Sequence, residues 1–440
     1  MGNIVFTAKR ITDNSPAATW VAEGGDATLG ASGLVKQKGD AGVDLLIGQP
    51  PAKEKQEAQI AVETVRINTG LDKGCDYKNS GALRDGMLFD KQYELEVTKF
   101  KNNVAPPSDQ DIQWAYRYET EDGVQEGVFL GRGRKVMLGF GTNLNICGRG
   151  LTIYAFIRDR KTEGVLNTWV HYRFRWFSRE QVKKEVQERK THPWKIDQNN
   201  TSLCGMACIM YLLAKKDPDG YEKMALQLHQ QGQVTYKDYA IKPWKGLLEM
   251  NPADAACKYP SSSMPYADWI TLASLRSSES WVGYKGQAGD DSRAINWPVI
   301  MITLGKKLLG YQDVSIDYYK LNKSYIRDWL GSNEKLRILK EDIDADYNNG
   351  YQISMMIDSD MMKGSDAYSW SDFSEYHWIV YEGGLQLLNA AGGAESDYDK
   401  VTKVKFKEFT WGEDVQTSRT SGGISKSAFQ TNYYAYVKMK

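Results

Sequence analysis

Between about residues 60 and 180, apolar and polar positions alternate in short runs, the period-two pattern of half-buried strands. The runs are Ala61–Asn68, Gln92–Phe100, Ile112–Tyr118, Val124–Leu130, Lys135–Phe140, Leu151–Ile157 and Thr168–Trp176. Turn signals such as Glu121-Asp122-Gly123, Gly131-Arg132-Gly133-Arg134 and Cys147-Gly148-Arg149-Gly150 separate them. Seven short strands of this spacing predict an antiparallel β-sandwich-like domain. Before it, a strand is expected at Asn3–Arg10, followed by Gly-, Ala- and Lys-rich sequence with one apolar run, Val43–Ile47. Residues 178–190 form a charged helix with Val182 and Val186 four apart, expected as a connector that ends near Thr191-His192-Pro193. Beyond it the period changes. Helices are predicted over 204–215, 219–231, 264–280, 294–309 and 322–330, the fourth entered through Trp297-Pro298. Strands return at Tyr351–Ile357, His377–Tyr381, Leu385–Asn389, Lys403–Trp411 and Thr431–Lys438. The expected class is α+β, with an adaptor or binding domain at 1–177, a helical linker at 178–192 and a second domain at 193–440.

A length of 440 residues agrees with two domains. Lys plus Arg and Asp plus Glu both number 56, and this balance argues against a nucleic-acid partner, which calls for a basic excess or stripe. No apolar run approaches the ~20 residues that span a bilayer. The opening Met1–Arg10 lacks a signal-peptide core, so synthesis in the cytoplasm is expected. Thr7 stands one position too late for a myristoylation motif after Gly2. The five cysteines, Cys75, Cys147, Cys204, Cys208 and Cys257, form no Cys-x-x-Cys and no paired framework. With four histidines and no Cys/His cluster, neither a metal nor a cofactor is expected. Arg132 to Lys135 reads as a solvated hairpin turn rather than an anion site.

The stretch richest in chemistry is Gln198-Asn199-Asn200-Thr201-Ser202-Leu203-Cys204, a polar loop running into an apolar helix. Met206, Ile209, Met210 and Leu213 recur at helical spacing, and Thr201 or Ser202 is placed to cap the first turn. A thiol in a helix's first turn feels the positive end of its dipole, which favours the attacking thiolate. Gln198, six positions earlier, is placed to point an amide N–H at the oxygen of an attacked carbonyl. Cys208, one turn on within the apolar run, reads as an inert core thiol.

Each histidine can be weighed as the base. His171 lies in an alternating strand, His192 precedes a proline in the connector, and His229 sits near the end of an amphipathic helix, facing water. His377 opens Tyr376-His377-Trp378-Ile379-Val380-Tyr381, a strong strand followed by Gly383-Gly384 and a second strand ending at Asn389. A base at a strand start with an amide on the returning strand fits the third role of a Cys–His–Asn arrangement. Asp397 and Asp399 are rivals for that role. Trp370 and Trp378 read as core aromatics before cleft aromatics.

The order Gln198, Cys204, His377, Asn389 over residues 190–440 resembles that of papain-like cysteine peptidases. The resemblance implies an oxyanion donor, a nucleophile, a general base and an orienting residue in that order, with a helical half facing a β half across the active-site cleft. The expected activity is a cysteine-dependent amide hydrolase, first a peptidase with a protein or peptide substrate. Cell-wall peptide amidase and glutamine deamidase are its chemical alternatives. The organisation also resembles effector toxins exported without a signal peptide, such as those of type VI secretion, with a secretion-apparatus component and an immunity protein as partners. A catalytically inactive binding or structural component of such an apparatus is the rival from another class.

Overall fold

The alternation in the first part of the chain closes two antiparallel sheets over a shared core. The computed structural model describes residues 60–76, 81–253, 264–279, 298–317, 333–363, 376–417 and 422–440. Its first nine strands are β1 (Val62–Ile67), β2 (Asp72–Cys75), β3 (Leu83–Gly86), β4 (Tyr93–Phe100), β5 (Gln113–Thr120), β6 (Gly123–Arg132), β7 (Lys135–Leu138), β8 (Gly150–Phe156) and β9 (Gly164–Trp169). One sheet has the order β1-β4-β7 and the other β6-β5-β8-β9. On β4, Tyr93, Leu95 and Val97 point into the core with Trp114, Tyr116, Leu151 and Ile153. Glu94 and Glu96 point outward, where Lys135 of β7 pairs with Glu94. The indole of Trp114 donates to the carbonyl of Gly133 at 2.7 Å, so the buried ring leaves no polar atom unmet.

The hairpin β2–β3 has no apolar alternation to announce it. It forms because Gly86 lets its backbone lie against Trp169; a Cβ there would stand 2.5 Å from the indole nitrogen. The expected strand Thr168–Trp176 stops at Trp169. Beyond it the amides of Arg173 and Phe174 turn to the carbonyls of Gln230 and His229.

The charged helix α1 (Arg179–Thr191) starts on a Ser178 cap and packs into the core of the helical part. Val182 and Val186 are fully buried in the cluster that also holds α2 (Cys204–Lys216) and α3 (Pro218–Gln231). Its charges are explained by partners: Glu185 and Arg189 are buried and bonded to the segment around Asp268. Asp217 caps α3 with Pro218 in the first turn, and Gly232 closes it.

A helical run then passes from Tyr266–Asp268 through a π turn, Trp269–Ala273, into Ser274–Glu279, and another helix spans Pro298–Lys307. A helical run over 334–348 was not expected from the sequence; its apolar positions Leu336, Leu339 and Ile343 are sparse among charges but all reach the core.

The strands of this part are β10 (Val234–Tyr236), β11 (Tyr239–Ile241), β12 (Val314–Asp317), β13 (Gln352–Asp358), β14 (Tyr376–Tyr381), β15 (Gln386–Leu388), β16 (Lys403–Lys405), β17 (Glu408–Phe409), β18 (Ile424–Ser425) and β19 (Tyr433–Met439). The main sheet is antiparallel with the order β12-β19-β13-β14-β17, and β15-β16-β18 form a smaller one. The main sheet is covered on both faces. Met356, Trp378, Val380 and Val437 join the cluster built by α2, whereas Met355, Ile357, Ile379 and Tyr381 join the one built by the 334–348 helix. The expected strand Lys403–Trp411 is split into β16 and β17, with Phe406 turned into the second cluster between them.

The architecture is α+β, and the described residues all fall within one unit, Ala58–Lys440. No described helix is long and apolar enough to cross a membrane. The expected strand Asn3–Arg10, the run Val43–Ile47, the helix 322–330, Trp370 and Cys257 lie outside the described residues.

Candidate active site

Cys204 is the first residue of α2, and the eleven residues from Cys204 to Ala214 are all buried. The thiol is 3% exposed, and Sγ lies 4.0 Å from the carbonyl of Tyr376 in β14. Burial pushes its pKa up to about 11, although the amides of Trp378, Gly205 and Cys204 itself pull it down. Burial is the larger of these effects, and it favours the neutral thiol over the expected thiolate. In His377→Ala, alkylation of Cys204 by iodoacetamide is expected to climb about tenfold per pH unit from pH 7 to 9, since without a base only thiolate reacts. A rate flat over that range in the variant would mean that the thiol is ionised without His377.

His377 is the second residue of β14 and is 3% exposed. Its Nε2 lies 2.6 Å from Oγ1 of Thr410, and its ring stacks on Trp411 at 4.1 Å between centroids. Strand alternation sends Trp378 into the cluster with Cys204 and Ile379 into the other, and His377 shares the parity of Ile379. A cleft of about 300 Å³ opens there, lined by Gln198, Asn199, Asn200, Thr201, Ser202, Cys204, Ser359, Tyr376, His377 and Trp411.

Gln198 is buried, and its side-chain amide donates to the carbonyl of Thr201 at 3.2 Å. Thr201 returns both its amide and its hydroxyl to the Gln198 carbonyl. The loop is anchored from below. Asp268, wholly buried, takes two bonds from Arg189, Nε to Oδ1 at 3.1 Å and Nη2 to Oδ2 at 2.8 Å. The same Oδ2 accepts the amide of Asp197 at 3.0 Å, and Asp197 in turn caps the amide of Asn199. Burial drives the Asp268 carboxyl up to about 6, more than the charge and hydrogen bonds of Arg189 pull it down. On the other side, Gly412 (φ +67) presses on the same loop; a Cβ there would meet Asp197 at 2.9 Å. The turn that carries Thr410 and Trp411 thus abuts the loop that carries Gln198.

The remaining expectations fare differently. Asn389 is not among the lining residues. Its Oδ1 accepts the amides of Ala391 and Gly393, closing a turn beside the small sheet. The segment after Gly383-Gly384 does not return beside His377, because β17 already occupies that edge of β14 and the amide of Glu382 is bound to Lys407. Asp397 and Asp399 are exposed, engaged with Lys400 and Asn333. The residue touching the far nitrogen of His377 is Thr410, which nothing in the sequence marked. His229, expected to face water, is fully buried between the Phe177 carbonyl and Arg179, with its pKa pushed down to about 3. His171 is buried likewise and lowered to about 4. His192 is exposed on the helix end. Of the four histidines, only His377 shares the cleft with Cys204. Cys208 is core, 1% exposed and raised well above the ordinary thiol value. Trp378 is core as well, and the cleft aromatics besides His377 are Tyr376 and Trp411.

If His377 acts as the base of the hydrolase proposed below, Thr410→Val is expected to slow turnover about 10- to 100-fold with little change in KM, by releasing the imidazole tautomer that Thr410 fixes. Asn389→Ala is expected to leave kcat unchanged and cost under about 1 kcal/mol in a urea melt. The reverse ranking would restore Asn389 as the orienting residue.

Among the described residues no group of His, Cys, Asp or Glu is placed to hold a metal ion. No family model, curated protein or solved structure matches the chain.

Proposed function

We propose that this chain is a cysteine-dependent amide hydrolase with a papain-like arrangement, Cys204 its nucleophile and His377 its base. The observation that carries the reading is the convergence of Gln198, Cys204 and His377, from a loop, a helix start and a strand start, on one cleft. A cysteine-bearing helix laid on an antiparallel sheet that bears the histidine supports the papain-like description.

In this reading Nε2–H of His377 is donated to Thr410, and Nδ1 carries the lone pair. Nδ1 takes the thiol proton as sulfur attacks the carbonyl carbon, so the thiolate exists only during the reaction. The negative charge on oxygen is met by the second N–H of Gln198 and by the amide of Cys204. His377 then hands its proton to the leaving nitrogen, and water releases the acyl group from sulfur.

The test is amide hydrolysis in a broad sense. Incubated with a mixed protein extract, wild type is expected to release amines or ammonia, and Cys204→Ala neither. Equal release by both proteins, or by neither, would remove the hydrolase reading.

A further inference from the structure

We propose that the substrate is a primary carboxamide on a methylene stem, the side chain of glutamine in a protein or peptide, and that the reaction is deamidation. The inference rests on the Cys204–His377 reading above and names its substrate class.

Three features of the cleft point there. The first is access. A volume of about 300 Å³ stands at the lower end of the range for ligand sites, and Cys204, which lines it, is 3% exposed. A peptide bond within an extended chain carries a side chain and more backbone on both sides. To bring that carbonyl to sulfur the groove must be open at both ends and the thiol exposed along it. A carboxamide at the tip of a narrow stem reaches a recessed thiol without such a groove.

The second is the chemistry of the walls. Gln198, Asn199, Asn200, Thr201 and Ser202 form one continuous wall of amides and hydroxyls, which both donate and accept. A carboxamide has one accepting oxygen and two donating hydrogens, and such a wall satisfies both. Tyr376 and Trp411 also line the cleft, and their rings offer apolar surface suited to methylene groups. The third is charge. Besides His377, no titratable acid or base other than the thiol and the Tyr376 phenol lines the cleft among the described residues. A neutral amide enters without unpaired charge, whereas the carboxylate product finds no cation to hold it.

The reaction balances without a further reagent. Sulfur bonds to the amide carbon, the thiol proton travels through His377 to the nitrogen, and ammonia leaves. Water then adds its hydroxyl to the thioester carbon and its proton returns through His377 to sulfur. Glutamine becomes glutamate, and nothing is oxidised or reduced.

The experiment uses the full chain, with benzyloxycarbonyl-glutaminylglycine and unfolded β-casein as probes. Ammonia is measured enzymatically, new amino termini by reaction with an amine dye, and glutamate formation by peptide mass. The expected result is ammonia release with glutamine-to-glutamate conversion in casein, no new amino termini, and loss of both signals in Cys204→Ala. The asparagine analogue, one methylene shorter, is expected to react at least about tenfold more slowly. New amino termini without ammonia, or no Cys204-dependent ammonia from either probe, would overturn the inference. Acylation of Cys204 by a simple activated ester is measured alongside. If that is also absent, the failure belongs to the nucleophile assignment and not to the substrate class.

Discussion

His377→Ala is expected to lower the rate of Cys204 acylation at pH 7 by about 10²- to 10⁴-fold, the range contributed by a positioned general base. The loss should be large because the thiol is not pre-ionised. Burial pushes the thiol up to about 11 and favours its neutral form at pH 7, so in the proposed mechanism the attack itself draws on a base. The deficit should shrink as pH rises, because hydroxide supplies the thiolate that His377 no longer generates. The acylation rate of the variant is therefore expected to rise about tenfold per unit toward pH 9, approaching wild type. A constant ratio across that range would mean that His377 acts by position alone.

Arg189→Met is expected to cost about 3–5 kcal/mol of stability, because it leaves the Asp268 carboxylate buried without a partner. The carboxyl is wholly inaccessible and bonds both the guanidinium and the amide of Asp197, so no water can replace the lost arginine. The pH dependence has a definite sign. The folded-state pKa of Asp268 is raised from 3.8 to about 6, so stability is lost as pH climbs from about 4 to about 6 and levels off above that. Without Arg189 that cost increases, and the deficit of Arg189→Met should be larger at pH 8 than at pH 5, where Asp268 is protonated. Arg189→Met with Asp268→Leu should recover most of the loss, since an apolar pair replaces a buried ion pair with little penalty. Urea denaturation at both pH values measures all three. A single-variant loss under about 1 kcal/mol would show that the pair does not anchor the loop below Gln198.

The parts of this site that could be read from sequence are those whose signal is local. A polar loop entering an apolar helix marks Gln198 and Cys204 within seven residues, and a strong strand run marks His377. Thr410 is different. It stands 33 residues from His377 and looks like one more strand residue; only the pairing of β14 with β17 sets it beside the imidazole. The same pairing explains why Asn389 was plausible and misplaced. A Gly-Gly turn after a strand predicts a hairpin, but the edge where the return would lie is filled by β17, and the chain passes to another sheet. The burial of the thiol is hidden in the sequence for a related reason. A helix start is visible in sequence, whereas the packing that buries every residue of its first turns comes from β14 and α3. Arg189 reads as part of a solvated charged helix, and only its distant partner Asp268 reveals that it faces inward.

The central claim is that Cys204, served by His377, is an acyl-accepting nucleophile. The measurement that tests it most directly is to mix the protein with p-nitrophenyl acetate at pH 7, quench within seconds and map the acetyl group by peptide mass. The account predicts acetylation at Cys204 ahead of Cys75, Cys147, Cys208 and Cys257, and its loss in His377→Ala. Acetylation that favours Cys75, the most exposed of the described thiols, or that is unchanged in His377→Ala, would contradict it.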